Sequence, residues 1–547
     1  MTTIDGRQPI RKVWEADLVV VGTGPSGMSV VRELAPTGQR IVILDAGDFT
    51  VPQSLQDTLR GDAASEAVEP QSKIRQKRVG GASMQWGGRT APFEAFDFEA
   101  REALGLPGWP VTRQELDDYY RRAAVRLDVG AFEWTAQGAI KGERRHLVEP
   151  ADEAIADEGI WRYSPPTRFA DVYKKEIEER ENVTLIVNAN VVRFTSANGD
   201  DVDGVEAMTA AGERITVKAK SYVLAAGGLE STRILLHSGL GNEHGQVGRN
   251  YMIHPIAEVG VLELRDVDDA RAATNYVRTV DGAWARRLIQ LAPEVKREHN
   301  LLNLGLAIWY EDPRDPSHGD PLLSAFALVR KALTYTGEFK ATGMHRRYAD
   351  LQSPVRHVKN VVLGAPSLVK YAGVWARDRW ISSRTLPAFT RRSTRGRYRL
   401  RFDAEQLPTP DNRVVLSASE KDRFGVPRLS VQHRVTREDR LNYLTSLRLL
   451  AEAFERSGWA RYTPPTEKEM LEISLVDGTH QMGLLRMGSE PTTSVVDRNL
   501  KVWGLSNLYV ASTAVFPTAS HAGPTMTAVA LAIRLADHLR SQQLDGL

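Results

Sequence analysis

Three glycines near the N-terminus have the spacing of a loop that binds a dinucleotide. Gly22, Gly24 and Gly27 follow an apolar run at residues 18–21, and Asp45 ends a second apolar run. Gly22 permits a tight turn, Gly24 lets the backbone approach a pyrophosphate, and Gly27 lets a helix pack closely on the strand. The N-terminus of that helix offers free N–H groups to phosphates, and Asp45 can accept hydrogen bonds from a ribose diol. The pattern therefore predicts a β-α-β unit that binds a dinucleotide.

Two more glycine clusters are predicted to belong to the same domain. Residues 78–88 contain Gly80, Gly81, Gly87 and Gly88, and a backbone of this kind can lie close against a flat ligand. Residues 221–231 have the pattern of a strand, a glycine turn and a helix, and residues 507–511 have that of a buried strand. Because these segments are far apart in the chain, they predict a domain assembled from discontinuous pieces.

Composition excludes several classes of protein. The chain has 547 residues, which is too long for one core, and its net charge of +2 gives no reason to expect a nucleic acid partner. It has no cysteine, so disulfides, thiolate catalysis, cysteine-ligated zinc and cysteinyl flavin links are excluded, and no metal site is predicted. Residues 1–15 lack the apolar segment of a secretory signal, and no apolar run is long enough to span a membrane. We therefore expect a cytoplasmic protein.

Several motifs, in this order, resemble those of one enzyme family. The segment HQMGLLRMG, from His480 to Gly488, is similar to a His-x-Met-Gly-x-x-Arg-Met-Gly motif, and residues 494–497, 507–510, 516–518 and 524–525 follow it in matching order. Together with the glycine clusters, they make the chain similar to the glucose–methanol–choline (GMC) oxidoreductases, flavoenzymes that oxidise alcohols with FAD. The C-terminal motifs most resemble the sugar- and glycoside-oxidising branch, which includes the pyranose oxidases.

The resemblance implies an α/β fold with two domains. The first is a discontinuous, Rossmann-like FAD-binding domain that comprises residues 14–130, 183–255 and 475–547. The second comprises residues 131–182 and 256–474, which contain short strands, long loops and more Pro and Trp. We expect this substrate-binding domain to be built on an antiparallel sheet and to lie over the cofactor.

The resemblance also implies a set of cofactor-binding residues. They are Gly22, Gly24, Ser26, Gly27, Asp45, Ala46, Gly80, Gly81, Ser83, Trp86, Gly87, Val192, Ala226, Gly227, Ser231, Thr513, Ala514, Pro524, Thr525 and Met526. The helix that starts near Pro524 is expected to point its positive dipole end at the flavin pyrimidine ring. Pyranose oxidases link FAD covalently through a histidine whose place is taken by Gln85. We therefore predict non-covalent FAD.

Two histidines are predicted to carry the acid–base chemistry. Alcohol oxidation by a flavin needs a base for the hydroxyl proton while the carbinol hydride passes to flavin N5, and histidine suits that task. His480 matches the catalytic histidine of the family. Gly523 stands where the family usually has a second polar residue, and we hypothesise that His521 fills that role. The alternative is that His521 only lines the pocket.

These residues predict FAD-dependent oxidation of an alcohol group on a sugar or glycoside, aminoglycoside intermediates included, to a ketone or aldehyde. One alternative is a sterol or terpenoid alcohol oxidase, because residues 322–329 are rich in leucine and other apolar side chains. Another is a flavin-binding protein without turnover, because Gly523 offers no side chain to the substrate. The sequence does not distinguish oxygen from other electron acceptors for the reoxidation of the flavin.

A basic segment has no place in this chemistry. From Arg356 to Arg401 the chain carries twelve Lys or Arg residues against one acid, Asp378, with Trp375 and Trp380 among them. The segment is consistent with a solvated face or homo-oligomer contact, with an entrance for an anionic substrate, and with peripheral contact to an anionic membrane. Nucleic acid binding is disfavoured, because no recognition motif accompanies the charge.

Overall fold

The structure is a computed structural model that describes residues 1–51, 53–65, 68, 71–269, 275–334 and 351–545. In chain order the strands are β1 (Thr2–Asp5), β2 (Val13–Glu15), β3 (Leu18–Val21), β4 (Ile41–Leu44), β5 (Asp62–Ala64), β6 (Arg89–Thr90), β7 (Ile155–Ala156), β8 (Ile160–Tyr163), β9 (Val183–Val187), β10 (Ala189–Thr195), β11 (Gly204–Thr209), β12 (Arg214–Lys218), β13 (Ser221–Leu224), β14 (Pro255–Leu264), β15 (Val277–Arg278), β16 (Trp284–Arg287), β17 (Gln290–Leu291), β18 (Leu304–Trp309), β19 (Arg397–Ala404), β20 (Arg413–Lys421), β21 (Pro427–Gln432), β22 (Ala460–Thr463), β23 (Val476–Asp477) and β24 (Leu508–Val510). The α-helices are α1 (Pro25–Leu34), α2 (Gln53–Gln56), α3 (Gln71–Ile74), α4 (Ala95–Phe98), α5 (Asp117–Arg126), α6 (Ala136–Ala139), α7 (Phe169–Glu178), α8 (Gly228–Ser238), α9 (Pro293–Glu298), α10 (Pro321–Thr334), α11 (Pro354–Leu363), α12 (Ala365–Ala376), α13 (Arg437–Ser457), α14 (Glu467–Glu472) and α15 (Thr525–Asp545).

A parallel sheet forms the first layer of the fold. Its strand order is β1-β9-β4-β3-β13-β24, and every neighbouring pair is parallel. The residues of β3 and β4 are all buried, as the apolar sequences of central parallel strands require. The strands come from both ends and the middle of the chain, so the predicted α/β class and the discontinuous assembly of the sheet are confirmed. The sheet includes β1, which precedes the predicted domain limit at residue 14, and the domain limits themselves stay a prediction.

An antiparallel sheet forms the second layer. Its order is β18-β19-β14-β22, with β23 also paired to β14, and all of these pairs are antiparallel. A second apolar core lies against this sheet and includes Leu262, Leu400 and Phe402 from the strands and Leu447 and Phe454 from α13. The expected second unit on an antiparallel sheet is therefore present.

The short pairing of β14 with β23 positions the site. Pro255 lies opposite Asp477, and the backbone N–H of Gly478 donates to the carbonyl of His254 at 3.0 Å. Met252 and Met482 exchange backbone hydrogen bonds of 3.0 and 3.1 Å. Because these bonds lie on both sides of His254 and His480, they hold the two histidine backbones side by side.

Helices α10, α11 and α12 form an insertion between the neighbouring strands β18 and β19. In the described part of the chain, no helix combines the length and apolar character that crossing a membrane would take.

Candidate active site

A cavity of about 660 Å³ extends from the carboxyl ends of the parallel strands to the imidazole of His480. Most of the predicted cofactor-binding residues line it: Gly22, Gly24, Ser26, Asp45, Ala46, Gly81, Trp86, Gly87, Ala226, Gly227, Thr513, Pro524 and Thr525. The remaining predicted residues lie outside its lining: Gly27, Gly80, Ser83, Val192, Ser231, Ala514 and Met526. At the strand β10, Val191 and Asn190 line the cavity where Val192 was expected, next to an irregularity in the strand register. The structure thus gathers three separated glycine clusters around one space.

The first glycine loop has the geometry that a dinucleotide requires. Gly22 has φ 99°, and a Cβ there would lie 2.6 Å from the carbonyl oxygen of Ala225. A Cβ on Gly27 would lie 2.1 Å from the oxygen of Gly22, whereas a Cβ on Gly24 would meet no atom within 4 Å. Gly24 is also the N-cap of α1, and no side chain caps the helix there. Free N–H groups and open space at Gly24 therefore fit the pyrophosphate of FAD.

Asp45 is buried, and its carboxylate holds the first glycine loop in place through hydrogen bonds. Its carboxylate accepts hydrogen bonds from the backbone N–H and the hydroxyl of Thr23 and, at 2.8 Å, from the backbone N–H of Gly47. Burial raises the pKa of this carboxyl. The Thr23 hydroxyl also accepts from the N–H of Gly80 at 2.9 Å, so Asp45 fixes the contact between two glycine clusters. A carboxylate oxygen has a second lone pair, which leaves Asp45 able to accept from a ribose hydroxyl.

A cluster of buried charged side chains forms one wall of the cavity, and none of them was among the residues predicted from the sequence. Lys77 donates to the side-chain oxygen of Asn190 and lies 3.3 Å from Glu230, which also pairs with Arg75 and Arg233 at 3.2 Å. Burial lowers the pKa of Lys77. Burial opposes the ionisation of Glu230, but its three cationic partners hold its pKa at about 2. Glu230 lies in the strand, turn and helix pattern of residues 221–231, whereas the sequence around Lys77 contains no motif that predicts a role for it.

Two histidines meet at the other end of the cavity. The Nδ1 atoms of His254 and His480 are 2.8 Å apart, and the rings pack edge to face. His254 is fully buried, and its Nε2 lies 2.9 Å from the carbonyl oxygen of Ala519. A Cβ on Gly478 would lie only 3.0 Å from Nδ1 of His480. Glycine at position 478 therefore leaves room for the imidazole of His480 beside that of His254. His254 was not among the predicted residues.

The hydrogen bonds determine which nitrogens carry protons. A carbonyl oxygen only accepts, so the Nε2 of His254 carries a proton and donates it to Ala519. In a neutral ring the Nδ1 of His254 is then an acceptor, and the Nδ1 of His480 must donate to it. Neutral His480 consequently has an unprotonated Nε2, which is the form that a general base needs.

The surroundings keep both rings neutral. Removal from water lowers the pKa of His254 to about 4. The same effect, with smaller contributions from His254 and Arg89, holds the pKa of His480 well below its ordinary value. Because both pKa values lie below 7, the tautomers derived above are those present at neutral pH.

An ion pair lies beside the histidines. Arg89 donates to both carboxylate oxygens of Asp403, at 2.8 Å for Nη1, and its guanidinium lies 4.8 Å from the ring centre of Trp161. Asp403 is completely buried. Burial alone would raise the pKa of Asp403, but Arg89 holds it well below its usual range. Arg89 lines the cavity, so the pair brings a fixed positive group close to the base.

Arg401 is a second cation in the lining of the cavity. Its guanidinium lies 4.9 Å from the ring centre of Trp309. Its buried Nε has no hydrogen-bond partner, and it forms no ion pair with any described carboxylate. A donor group of this kind can bind oxygen atoms of a ligand.

His521, the second histidine predicted from the sequence, lies close to Glu94 and Trp161. It is almost fully buried, with Nε2 3.7 Å from Glu94 and its ring 6.3 Å from that of Trp161, and it is not part of the cavity lining. A Cβ on Gly523 would lie 3.1 Å from the carbonyl oxygen of Arg89, so that position has little room for a side chain. The structure thus places His254, and not His521, against His480, and a catalytic role for His521 stays a prediction.

Comparisons with known proteins agree with this fold. Models of the GMC oxidoreductase family match residues 170–256 and 408–532. The chain is 23% identical to 2-methyl-1,2-propanediol dehydrogenase of Mycolicibacterium austroafricanum, over 96% of this chain and 95% of that protein. It is also 23% identical to paromamine 6'-oxidase of Streptomyces fradiae, over 96% of this chain and 91% of that protein.

A solved structure of Aspergillus oryzae formate oxidase, from work on FAD modification, has the same fold. It covers 98% of this chain and 100% of its own, with 18% sequence identity and a TM-score of 0.54. The family matches cover the segments that contain Gly227 and His480, and the relatives extend over nearly the whole chain. Two segments of the chain, which together make up less than half of it, therefore match the GMC oxidoreductase family.

Proposed function

We propose that this flavoprotein uses FAD to oxidise an alcohol group on a sugar or glycoside to a ketone or aldehyde. The observation that carries the proposal is the contact between His254 and His480, because it leaves the Nε2 of His480 unprotonated at a cavity with the loops of a dinucleotide site. The names of the diol dehydrogenase and of the paromamine oxidase support oxidation of a hydroxyl group.

The cavity offers a place for each part of the cofactor. Gly22, Gly24 and the N-terminus of α1 would hold the pyrophosphate, and Asp45 would bind the ribose. Pro524 and Thr525, at the start of α15, line the same cavity as His480. FAD, when bound, would supply the acceptor for the carbinol hydride, which carries the two electrons of the oxidation.

His480 would remove the hydroxyl proton of the substrate. The proton moves to Nε2, and the imidazolium that forms keeps its Nδ1–H on the Nδ1 of His254. His254 in turn is oriented by the carbonyl of Ala519. The chain of acceptors therefore keeps the base in one ring orientation before and after the transfer.

The lining near His480 favours a polar substrate. Arg89, Arg401, Thr479 and Gln481 line this part of the cavity, and hydroxyl-rich ligands need such donors and acceptors. Residues 322–329, on which the sterol or terpenoid alternative depends, lie in α10, and none of the described residues of α10 lines the cavity. A sugar or glycoside is therefore the better fit.

The experiment that tests the proposal is anaerobic reduction of the bound flavin. Sugars, glycosides, aminoglycosides and sterols are added separately, and the flavin absorbance is followed under nitrogen. Bleaching by members of the first three groups supports the proposal, and bleaching by sterols alone contradicts it. A flavin that dithionite bleaches and that none of these alcohols reduces would indicate a binding protein without turnover.

We predict that the FAD is held without a covalent bond. The chain has no cysteine, His480 is the one histidine among the described residues that line the cavity, and Gln85 donates instead to the carbonyl of Ile74 at 3.1 Å. Acid precipitation should release all the yellow colour into the supernatant. Colour that stays with washed, unfolded protein would show a covalent link.

We also predict that His254 acts on catalysis through His480. The variant His254→Leu removes the acceptor of the Nδ1–H of His480. Because this buried donor is then left without a partner, kcat should fall about 10- to 100-fold. The variant His254→Asn keeps an amide oxygen close to the position of Nδ1 and should recover most of this loss. The measurement is the rate of flavin reduction at equal FAD content. Equal rates for the two variants would mean that the contact does not orient the base.

A further inference from the structure

Two consecutive helices of the insertion contribute little to any core. Helix α12 has no buried residue, and the one buried residue of α11 is His357, which hydrogen-bonds to Ser324 and to the carbonyl of Arg314. Helix α11 packs against α10, and a Cβ on Gly364, which separates α11 from α12, would lie 2.4 Å from Pro321. The two helices are thus attached along one side and open on the other. We call their open side the α11–α12 surface.

The α11–α12 surface exposes large apolar side chains. Six of the thirteen large apolar residues that are exposed in the described part of the chain lie on α11 and α12: Val355, Val358, Val362, Leu363, Val369 and Val374. Val355 and Val369 are 81% and 76% exposed. A concentration of this kind is typical of an interaction site rather than of a solvated face.

Basic side chains lie among the apolar ones. Arg356 and Lys359 of α11 and Lys370 of α12 are exposed, and none of them forms an ion pair with a described residue. From residue 351 to Arg377 the sequence contains no acid, and Asp378, the next one, pairs with Arg377 at 2.8 Å. The surface is therefore both apolar and cationic.

The combination of apolar and basic side chains on the α11–α12 surface favours one class of partner over the others. A second copy of the chain would bring the same positive charge, which opposes self-association through this surface. A nucleic acid would pair with the cations but would leave the valines and Leu363 in water. The boundary between the headgroups and acyl chains of an anionic bilayer accepts both, because phosphates bind the cations and the acyl chains bury the apolar residues.

We propose that the α11–α12 surface docks this protein on an anionic membrane. Val355, Val362 and Val369 enter the boundary between headgroups and acyl chains, and Lys359 and Lys370 bind lipid phosphates. The contact is peripheral, since no described helix could span the bilayer. The insertion leaves the antiparallel sheet after β18 and rejoins it at β19, the strand that carries Arg401, so docking holds the membrane close to the sheet that lines the cavity.

Vesicle flotation with the purified full chain tests the proposal independently of its catalytic function. The protein should float with vesicles that mix phosphatidylcholine and phosphatidylglycerol, should bind about 10-fold or more weakly to phosphatidylcholine alone, and should lose binding at high salt. The double variants Val362→Asp/Val369→Asp and Lys359→Glu/Lys370→Glu should each weaken binding at least about 10-fold. The control is Val125→Asp/Val172→Asp, which changes two exposed valines of α5 and α7 and should bind like the unaltered protein.

Each other result overturns the proposal. Equal binding to both kinds of vesicle would exclude recognition of anionic lipid, and equal loss in the control variant would exclude the α11–α12 surface. Sedimentation equilibrium distinguishes the competing partner. A dimer that Val362→Asp/Val369→Asp dissociates, with no flotation of the unaltered protein, would assign the surface to a second copy. Flavin absorbance and thermal unfolding confirm that every variant is folded.

Discussion

Replacing His480 with glutamine is expected to lower kcat by about 10²- to 10⁴-fold while FAD remains bound. The variant keeps a polar side chain of similar size at the cavity but removes the nitrogen that accepts the hydroxyl proton. The protein–cofactor contacts at the glycine loops are untouched, so flavin content should not change. The measurement is the anaerobic rate of flavin reduction at saturating alcohol, with the flavin-to-protein ratio determined for each preparation.

Two further variants make that result specific. His299 is exposed, and His299→Gln should leave the rate unchanged. His521→Gln tests the second histidine predicted from the sequence, which lies against Glu94 and outside the cavity lining. A rate for His480→Gln within fivefold of the unaltered enzyme would remove the basis of the proposed mechanism.

The pH dependence follows from the direction of the pKa shift. Because the pKa of His480 lies well below 6.5, the ring is already unprotonated at pH 6.5 and above. The value of kcat/KM for an alcohol should therefore stay level as the pH falls from 8 to 6.5. It should fall only at a lower pH, where His480 becomes protonated. An acid limb centred at or above 6.5 would contradict a base held neutral by burial.

The glycine loops could be predicted from the sequence because their constraint is local. Gly22 and Gly27 are required for steric reasons that involve the turn and the neighbouring strand, and a Cβ on either residue would make the expected close contacts, whereas Gly24 has the open space expected next to a pyrophosphate. The parallel sheet follows from short apolar runs next to these turns. Local periodicity and turn chemistry are sufficient for this part of the fold.

The partner of His480 could not be predicted in the same way. His254 is 226 residues away in the chain, and the two meet because β14 pairs with β23 in one register. The ion pair between Arg89 and Asp403 joins residues 314 positions apart. Neither contact produces a pattern in the sequence near the residues that form it. Val191 lines the cavity where Val192 was expected, at an irregularity in β10 that the apolar run does not reveal.

Removing the partner of Asp403 should have a large effect on stability. Arg89→Met leaves a fully buried carboxylate without its counter-ion, and the free energy of unfolding should fall by about 3–5 kcal/mol. Urea unfolding of the FAD-loaded protein measures the loss. The comparison is Arg265→Met, which removes an exposed pair with Glu455 and should cost less than about 1 kcal/mol.

The double variant Arg89→Met/Asp403→Leu distinguishes the effect of charge on the free energy of unfolding from the effect of packing. Removing both partners leaves no unpaired charge, so most of the lost stability should return, although Arg89 also packs on Trp161. The single variant should also raise the pKa of His480, because Arg89 lowers that pKa and Asp403 raises it. The acid limb of kcat/KM should therefore move to higher pH in Arg89→Met and return towards its original position in the double variant. A double variant as unstable as the single one would show that Arg89 stabilises the fold through its contacts and not through its charge.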